Sequence, residues 1–252
     1  YLLLTLIAMR SDLRSGAMDA GMLAVSLTVV AAILVNAWVA AAVAAQLRRR
    51  ILLLLEVADE HRRAENRSRD TLIFALAKLA EHRDTDTGSH LVRIASYSAA
   101  LAEAMRPTHA SIDDAWIDRL RVASSLHDIG KVGLPDGVLK KPGPLTDEER
   151  KTMQSHPALG AATLHAIRDH EGATDPLLVM SEEIAAAHHE RWDGSGYPNG
   201  YAGEAIPLAA RIVALADVYD ALTSRRVYKP PMSHEDALRL IRDGRGTQFD
   251  PA

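Results

Sequence analysis

The 252-residue sequence contains no cysteine. Disulfide bonds, thiolate zinc sites and a cysteine nucleophile are therefore all excluded. A metal ion bound by this protein must be held by histidine, aspartate or glutamate side chains.

Aromatic residues are also scarce, at 4% of the chain, and no convincing run alternates apolar with polar residues. Alanine and leucine dominate instead, and these residues favour helices over strands. We therefore predict an all-α fold. The sequence has no excess of positive charge either, with 29 Lys and Arg against 33 Asp and Glu. A net charge of −4 argues against a polymeric DNA or RNA partner.

One long stretch has no charge at all, from Ala20 to Leu47, and residues 22–47 are almost wholly alanine, valine, leucine and isoleucine. As a helix rising about 1.5 Å per residue, this segment can cross a hydrocarbon core of about 30 Å. We predict a transmembrane helix at about 22–47; a buried core helix is the alternative. Three arginines, 48–50, follow directly and place its C-terminal end on the cytoplasmic side. The expected location is the inner (cytoplasmic) membrane, with the downstream chain facing the cytoplasm.

The segments that flank this helix complete an N-terminal region. Residues 1–9 form an apolar run too short to span a membrane, which we interpret as the end of a preceding transmembrane helix, so that 1–50 is a membrane region. Residues 51–70 are rich in charge and contain no Gly or Pro, which predicts a helical linker. The linker could pair with the same helix of a second copy of the chain in a homodimer. Its heptad pattern is weak, however, and a solvent-exposed connecting helix is the alternative.

Residues 71–252 show helical periodicity and form the predicted main domain. Leu91, Ile94, Ser98 and Leu101 fall on one helix face. Clusters of Gly and Pro at 130–144 and 194–207 predict two long loops. Because the sequence begins with Tyr rather than Met and stops without a clear helix end, we expect an excerpt of a longer protein that truncates this domain.

The histidines next to carboxylates or glycine-rich turns are the candidates for chemistry. His127 and Asp128 close an apolar helix, and His188 and His189 end another that runs into a glycine-rich block. His156 stands between these pairs. A fourth element, His90, follows Thr-Gly-Ser at a helix start.

The two adjacent pairs favour more than one metal ion. Neighbouring histidines on a helix point about 100° apart, so His188 and His189 should not approach one ion comfortably. Asp128 has two oxygens and could bridge two ions. Ions about 4 Å apart can acidify a shared water and stabilise both oxygens of an in-line displacement at phosphorus. This pattern predicts phosphodiester hydrolysis, and nitrogen and oxygen ligands suit iron or manganese at least as well as zinc.

The ordered set of motifs resembles the HD-GYP family, the cyclic di-GMP phosphodiesterase branch of the HD superfamily. The resemblance covers about residues 71–251. It is carried by the segments Asp84–His90, His127–Lys131, His156–Pro157, His188–Pro198 and Asp217–Thr223, and by Arg226, Tyr228 and Lys229.

This resemblance implies an HD-type helical bundle with an HD-GYP extension, preceded here by the transmembrane helix and the helical linker. It also implies a set of metal ligands with Asp128 bridging: His90, His127, Asp128, His156, His188, His189 and Asp217. Asp86 matches a position where members with three metals usually have Glu, so we expect two or three divalent ions, with iron or manganese favoured.

The resemblance implies further roles. The catalytic positions are His127, Asp128 and Lys131, and Lys131 contacts a substrate phosphate. Arg226 and Lys229 are implied to bind the substrate. Gly196-Tyr197-Pro198 matches the loop that names the family, which lies near the site, is expected to contribute to substrate binding and is linked to partner contacts.

The implied reaction is hydrolysis of cyclic di-GMP to linear pGpG, with further turnover to GMP left open. Diguanylate cyclase (GGDEF) proteins are the implied partners. Two alternatives stay open: a receptor or scaffold that binds cyclic di-GMP with little turnover, and a phosphodiesterase for another cyclic dinucleotide.

Overall fold

The computed structural model describes residues 2–15, 20–81, 89–171, 175–225 and 230–252. Within these ranges every regular element is a helix, which confirms the predicted all-α fold. The chain divides into two compact units, Tyr1–Arg67 and Ser68–Ala252.

The first unit contains α1 (Leu2–Ser15) and the first part of α2 (Ala20–Glu81). By length and composition α2 can cross a membrane, since its most apolar window has a mean hydropathy of 2.3. No Gly or Pro occurs in α2 after Gly21, and the residues predicted as a helical linker lie within the same continuous helix.

The second unit is a helical bundle. After the end of α2 it contains α3 (His90–Met105), α4 (Asp114–Ala123), α5 (Asp136–Leu139), α6 (Asp147–Met153), α7 (His156–Glu171), α8 (Pro176–Ala187), α9 (Leu208–Thr223) and α10 (His234–Asp243). Three 3-10 helices lie between them, at Ser124–Leu126, Ile129–Gly133 and Gly203–Ala205.

The main core is formed where α3, α4, α8 and α9 meet. One large apolar side chain from each helix is fully buried there: Ile94, Leu120, Ile184 and Val213. Burying a side chain of this size stabilises the fold by about 1.5–3 kcal/mol relative to exposing it. This packing holds the four helices together; His90 begins α3, His188 follows the end of α8, and Asp217 lies within α9.

The region predicted as a loop at 130–144 is partly helical, and close backbone packing holds its first residues against α7. A Cβ atom on Gly130 would lie 2.0 Å from the carbonyl oxygen of His156 and 2.5 Å from the amide nitrogen of Gly160. Only glycine allows such a close approach. The contact brings the chain just after Asp128 onto the first turn of α7, where His156 lies.

Candidate metal centre

The structure brings seven predicted ligands together in two groups. Within each group the ligand atoms lie within 4.8 Å of one another. The first group is Asp128, His156, His188 and His189, and the second is His90, His127 and Asp217.

Asp128 lies between the two groups, and its two oxygens face different histidines. Its Oδ2 is 3.3 Å from Nε2 of His127 in the second group. Its Oδ1 is 3.1 Å from Nε2 of His156 and 3.7 Å from Nε2 of His188, both in the first group. A carboxylate in this position can contribute one oxygen to each group.

Three histidines are oriented by backbone carbonyls. Nδ1 donates to the carbonyl oxygen of Ser124 for His127 (2.8 Å), of Met153 for His156 (2.8 Å) and of Ile184 for His188 (3.1 Å). A carbonyl oxygen only accepts hydrogen bonds, so we assign the ring proton to Nδ1 in each case. The lone pair of each Nε2 then faces the site, as in metal-binding histidines.

The atoms that meet at Asp128 are all hydrogen-bond acceptors, so they cannot form hydrogen bonds with one another. Nε2 of His127, His156 and His188 and Oδ1 of Asp128 are buried, and none has a hydrogen bond of normal geometry to the described residues. Opposed lone pairs repel at this distance unless a cation or a proton lies between them, and buried acceptors left unpaired are costly. The cluster therefore fits divalent metal ions.

His90 is held differently, by an aspartate for which the sequence analysis proposed no role. Its Nδ1 lies 2.7 Å from Oδ2 of Asp220, and its Nε2 lies 3.7 Å from Oδ1 of Asp217. Asp220 follows Asp217 by three residues in α9, so that the two carboxylates share a helix face. This i, i+3 spacing is the sequence signal that could have identified Asp220.

The prediction that His188 and His189 cannot comfortably approach one ion was wrong. It assumed helical geometry, but α8 ends at Ala187, and both histidines lie in the turn that follows. Their rings come within 4.1 Å of each other, centroid to centroid, and belong to the same group. Two groups still exist because His90, His127 and Asp217 form the second one.

The Gly196-Tyr197-Pro198 loop packs against this cluster. The ring of Tyr197 stacks on His189, with centroids 4.8 Å apart. A Cβ atom on Gly196 would lie 2.4 Å from the amide nitrogen of Arg191, so glycine is required there. The buried carboxylate of Glu190 accepts a hydrogen bond of 2.7 Å from the Asn199 amide and others from the Gly200 amide, which fixes the return of the loop.

The predicted basic residues are placed only in part. Nζ of Lys131 lies 2.7 Å from Oδ2 of Asp128, one turn of a 3-10 helix away, at the edge of the cluster. The predicted substrate contacts Arg226 and Lys229, and the predicted third-metal ligand Asp86, lie outside the described residues.

Residues 75–252 match the family model described as HD domain. The chain belongs to the HD domain family. It is 51% identical over 189 residues to a probable cyclic di-GMP phosphodiesterase of Vibrio cholerae, covering 74% of this chain and 43% of that protein. It is 39% identical over 180 residues to the 3'3'-cGAMP-specific phosphodiesterase 2 of the same organism, covering 71% of this chain and 32% of that protein.

A crystal structure of a cyclic GMP-AMP specific phosphodiesterase of V. cholerae shares the fold. The TM-score is 0.52 at 21% identity, and the match covers 72% of this chain and 46% of that one. The chain therefore spans less than half the length of each of these relatives.

The charge state of the metal-free HD domain follows from these contacts. Burial alone would lower the pKa of His127, but the adjacent Asp128 carboxylate outweighs burial and raises the pKa to about 9. Burial would raise the pKa of Asp128, but the charges of Lys131 and His127 hold it well below its usual range. Burial lowers the pKa of His188, and with the neighbouring histidines it lowers that of His189 to about 2. In the metal-free protein the proton on His127 thus occupies the position that fits a cation.

Metal binding should therefore release a proton from His127. The folded-state pKa of about 9 is above the unfolded value, so metal must displace this proton at neutral pH, and affinity should rise as pH increases toward 9. Because the folded-state pKa of His127 is raised, its proton also increases the free energy of unfolding of the metal-free protein. This increase is complete below about pH 6.5 and is lost as pH rises through about 9.

Calorimetric titration of the metal-free chain in detergent with Mn(II), at about pH 7.5 in buffers of different ionisation enthalpy, measures this release. We expect about one proton from His127. A His165→Gln chain should release the same number, because His165 is an exposed residue held by Glu182 and Asp169 away from the cluster. Binding without proton release would contradict the assignment.

Proposed function

We propose that this chain is a membrane-tethered, metal-dependent phosphodiesterase that hydrolyses cyclic di-GMP to linear pGpG. The observation that carries the proposal is the position of Asp128, whose two oxygens face two separate groups of ligand atoms. Such a carboxylate between two sets of inward-facing lone pairs suits a two-metal centre.

The same residues would hold the metals. His156, His188 and His189 would hold one ion, His90, His127 and Asp217 the other, and Asp128 would contact both. The bound ions would supply Lewis acidity at phosphorus and a nucleophile derived from water at neutral pH. Nitrogen and oxygen ligands without thiolates favour iron or manganese. Asp86 is proposed as a ligand for a third ion.

Side chains at the edge of the cluster would position the substrate. The Lys131 ammonium group lies beside Asp128, where it can donate to a phosphate oxygen. Tyr197 is packed on His189, so the Gly196-Tyr197-Pro198 loop forms a wall of the site. Arg226 and Lys229 are proposed to bind the remaining phosphodiester charge.

Cyclic di-GMP is favoured as the substrate by the relatives. The relative at 51% identity is named a probable cyclic di-GMP phosphodiesterase, whereas the 3'3'-cGAMP-specific relative is 39% identical. Turnover is favoured over simple binding because the oriented imidazoles and the bridging carboxylate are more than a receptor needs. The second candidate is therefore a phosphodiesterase for another cyclic dinucleotide on the same centre.

The membrane tether is part of the proposal. The apolar part of α2 at about 22–47 would cross the inner membrane and the three arginines at 48–50 would keep the HD domain in the cytoplasm. We also propose a homodimer, since Leu72, Leu76 and Leu79 form an exposed apolar stripe at spacings of four and three on α2. A diguanylate cyclase (GGDEF) partner is proposed from the family resemblance.

The purified chain in detergent with Mn(II) or Fe(II) should convert cyclic di-GMP to pGpG, as measured by chromatography of the products. Asp128→Ala should reduce turnover below detection, because it removes the ligand common to both groups. Lys131→Met should lower kcat/KM by about 10-fold or more, because a charge-assisted hydrogen bond to phosphate contributes about 1.5–3 kcal/mol.

Lys140→Met is the matched control for Lys131→Met. It also removes a lysine from a Lys–Asp ion pair, but that pair is exposed on α5. It should turn over like the unaltered chain. Tight binding of cyclic di-GMP without hydrolysis would contradict the proposal in favour of a receptor, and faster hydrolysis of 3'3'-cGAMP would favour the second candidate.

The topology can be tested with single cysteines, since the chain has none. Ser11→Cys and Ser68→Cys lie on opposite sides of the proposed span, and both positions are exposed. In intact spheroplasts a membrane-impermeant maleimide should label the first and reach the second only after lysis. Labelling of Ser68→Cys before lysis would contradict a cytoplasmic HD domain.

A further inference from the structure

His90 is the one described histidine of the cluster whose Nδ1 faces a charged acceptor. The imidazoles of His127, His156 and His188 donate to neutral backbone carbonyls. His90 instead lies 2.7 Å from Oδ2 of Asp220. An ionised carboxylate has no proton to donate, so it forces the ring proton onto Nδ1 of His90 and leaves Nε2 free for the second group.

Asp220 is fully occupied by its hydrogen bonds. It is 1% exposed, and Arg93 contacts both of its oxygens, with Nη2 2.9 Å from Oδ2. The hydroxyl of Ser224 donates to Oδ1 at 3.1 Å. Two donors therefore approach each oxygen, so Asp220 is not itself a ligand.

Arg93 stabilises the buried, ionised carboxylate of Asp220. A buried carboxylate without a partner would destabilise the fold or take up a proton. The Arg93 guanidinium also lies close to Oγ of Ser89, the residue before His90. Both ends of the contact are thereby fixed: α3 provides His90 and Arg93, and α9 provides Asp217 and Asp220.

We propose that Asp220 is a positioning residue that selectively secures the ion held by His90, His127 and Asp217. The proposal rests on the two-metal centre proposed above. Hydrogen bonding to a carboxylate makes an imidazole a stronger ligand than hydrogen bonding to a carbonyl does. The group of His156, His188 and His189 has no described contact with Asp220, so its ion should not depend on this residue.

Asp220→Asn keeps the size of the side chain and removes its charge. With Mn(II) as the probe, we expect the altered full chain in detergent to bind one ion as tightly as before and the second about 10–100-fold more weakly. Metal analysis measures the ions retained, and electron paramagnetic resonance reports whether retained Mn(II) ions are magnetically coupled. The variant should lose the coupled signal.

The tautomer of His90 provides a measurement that does not depend on metal or activity. Nitrogen-15 NMR of the metal-free chain should show the proton on Nδ1 of His90, and Asp220→Asn should give a mixture of tautomers. Retention of the Nδ1–H form in the variant would overturn the proposal. So would equal loss of both ions.

Asp250→Asn is the matched control, because Asp250 is paired with Arg211 as Asp220 is with Arg93 but has no histidine partner in the described residues. It should keep both ions and the His90 tautomer. If the control also lost the second ion, the effect of Asp220 would be general destabilisation and the proposal would fail.

A second variant keeps the proposal testable where Asp220→Asn fails to fold. Arg93→Lys keeps a cation beside Asp220 but removes the two-pronged contact, so the same ion should be weakened to an intermediate degree. No loss, or equal loss of both ions, would contradict the proposal. An unaltered chain that binds fewer than two ions would instead refute the proposed two-metal function, while the tautomer measurement would still test Asp220.

Discussion

Hydrogen bonds from Nδ1 orient four of the five histidines of this site, and the geometry of the centre depends on them. Each acceptor, whether a carbonyl of Ser124, Met153 or Ile184 or the carboxylate of Asp220, can only accept. The rings must therefore turn their Nε2 lone pairs inward, toward Asp128 and toward one another. Without a cation this arrangement is repulsive, and the Asp128 carboxylate accordingly outweighs burial and raises the pKa of His127.

The bundle provides these acceptors because the site is built from the ends of helices. Carbonyls in the last turn of a helix lack partners within the helix, so they are available to a following imidazole, as that of Met153, the last residue of α6, is to His156. His90 and His156 begin α3 and α7. The shared core of α3, α4, α8 and α9 holds these ends in place, and the close contact of Gly130 with α7 brings Asp128 to His156.

Composition and periodicity predicted the helical fold and the long apolar helix, whereas the family resemblance implied the seven residues that converge. The error over His188 and His189 arose because their geometry depends on where α8 ends, which is decided by packing rather than by local pattern. Asp220 was overlooked because its role depends on contacts with α3, 127 and 130 residues away. Gly130 likewise appears in the sequence as a loop residue, and only its distance from α7 shows why no side chain fits there.

In the proposed centre one carboxylate, Asp128, serves two metal ions, and hydrolysis needs both. The most direct measurement is turnover of cyclic di-GMP by the metal-free full chain as Mn(II) is added, with bound ions counted at each step. We expect negligible turnover with the first ion and a rise that follows the second. Full turnover with a single bound ion would contradict it.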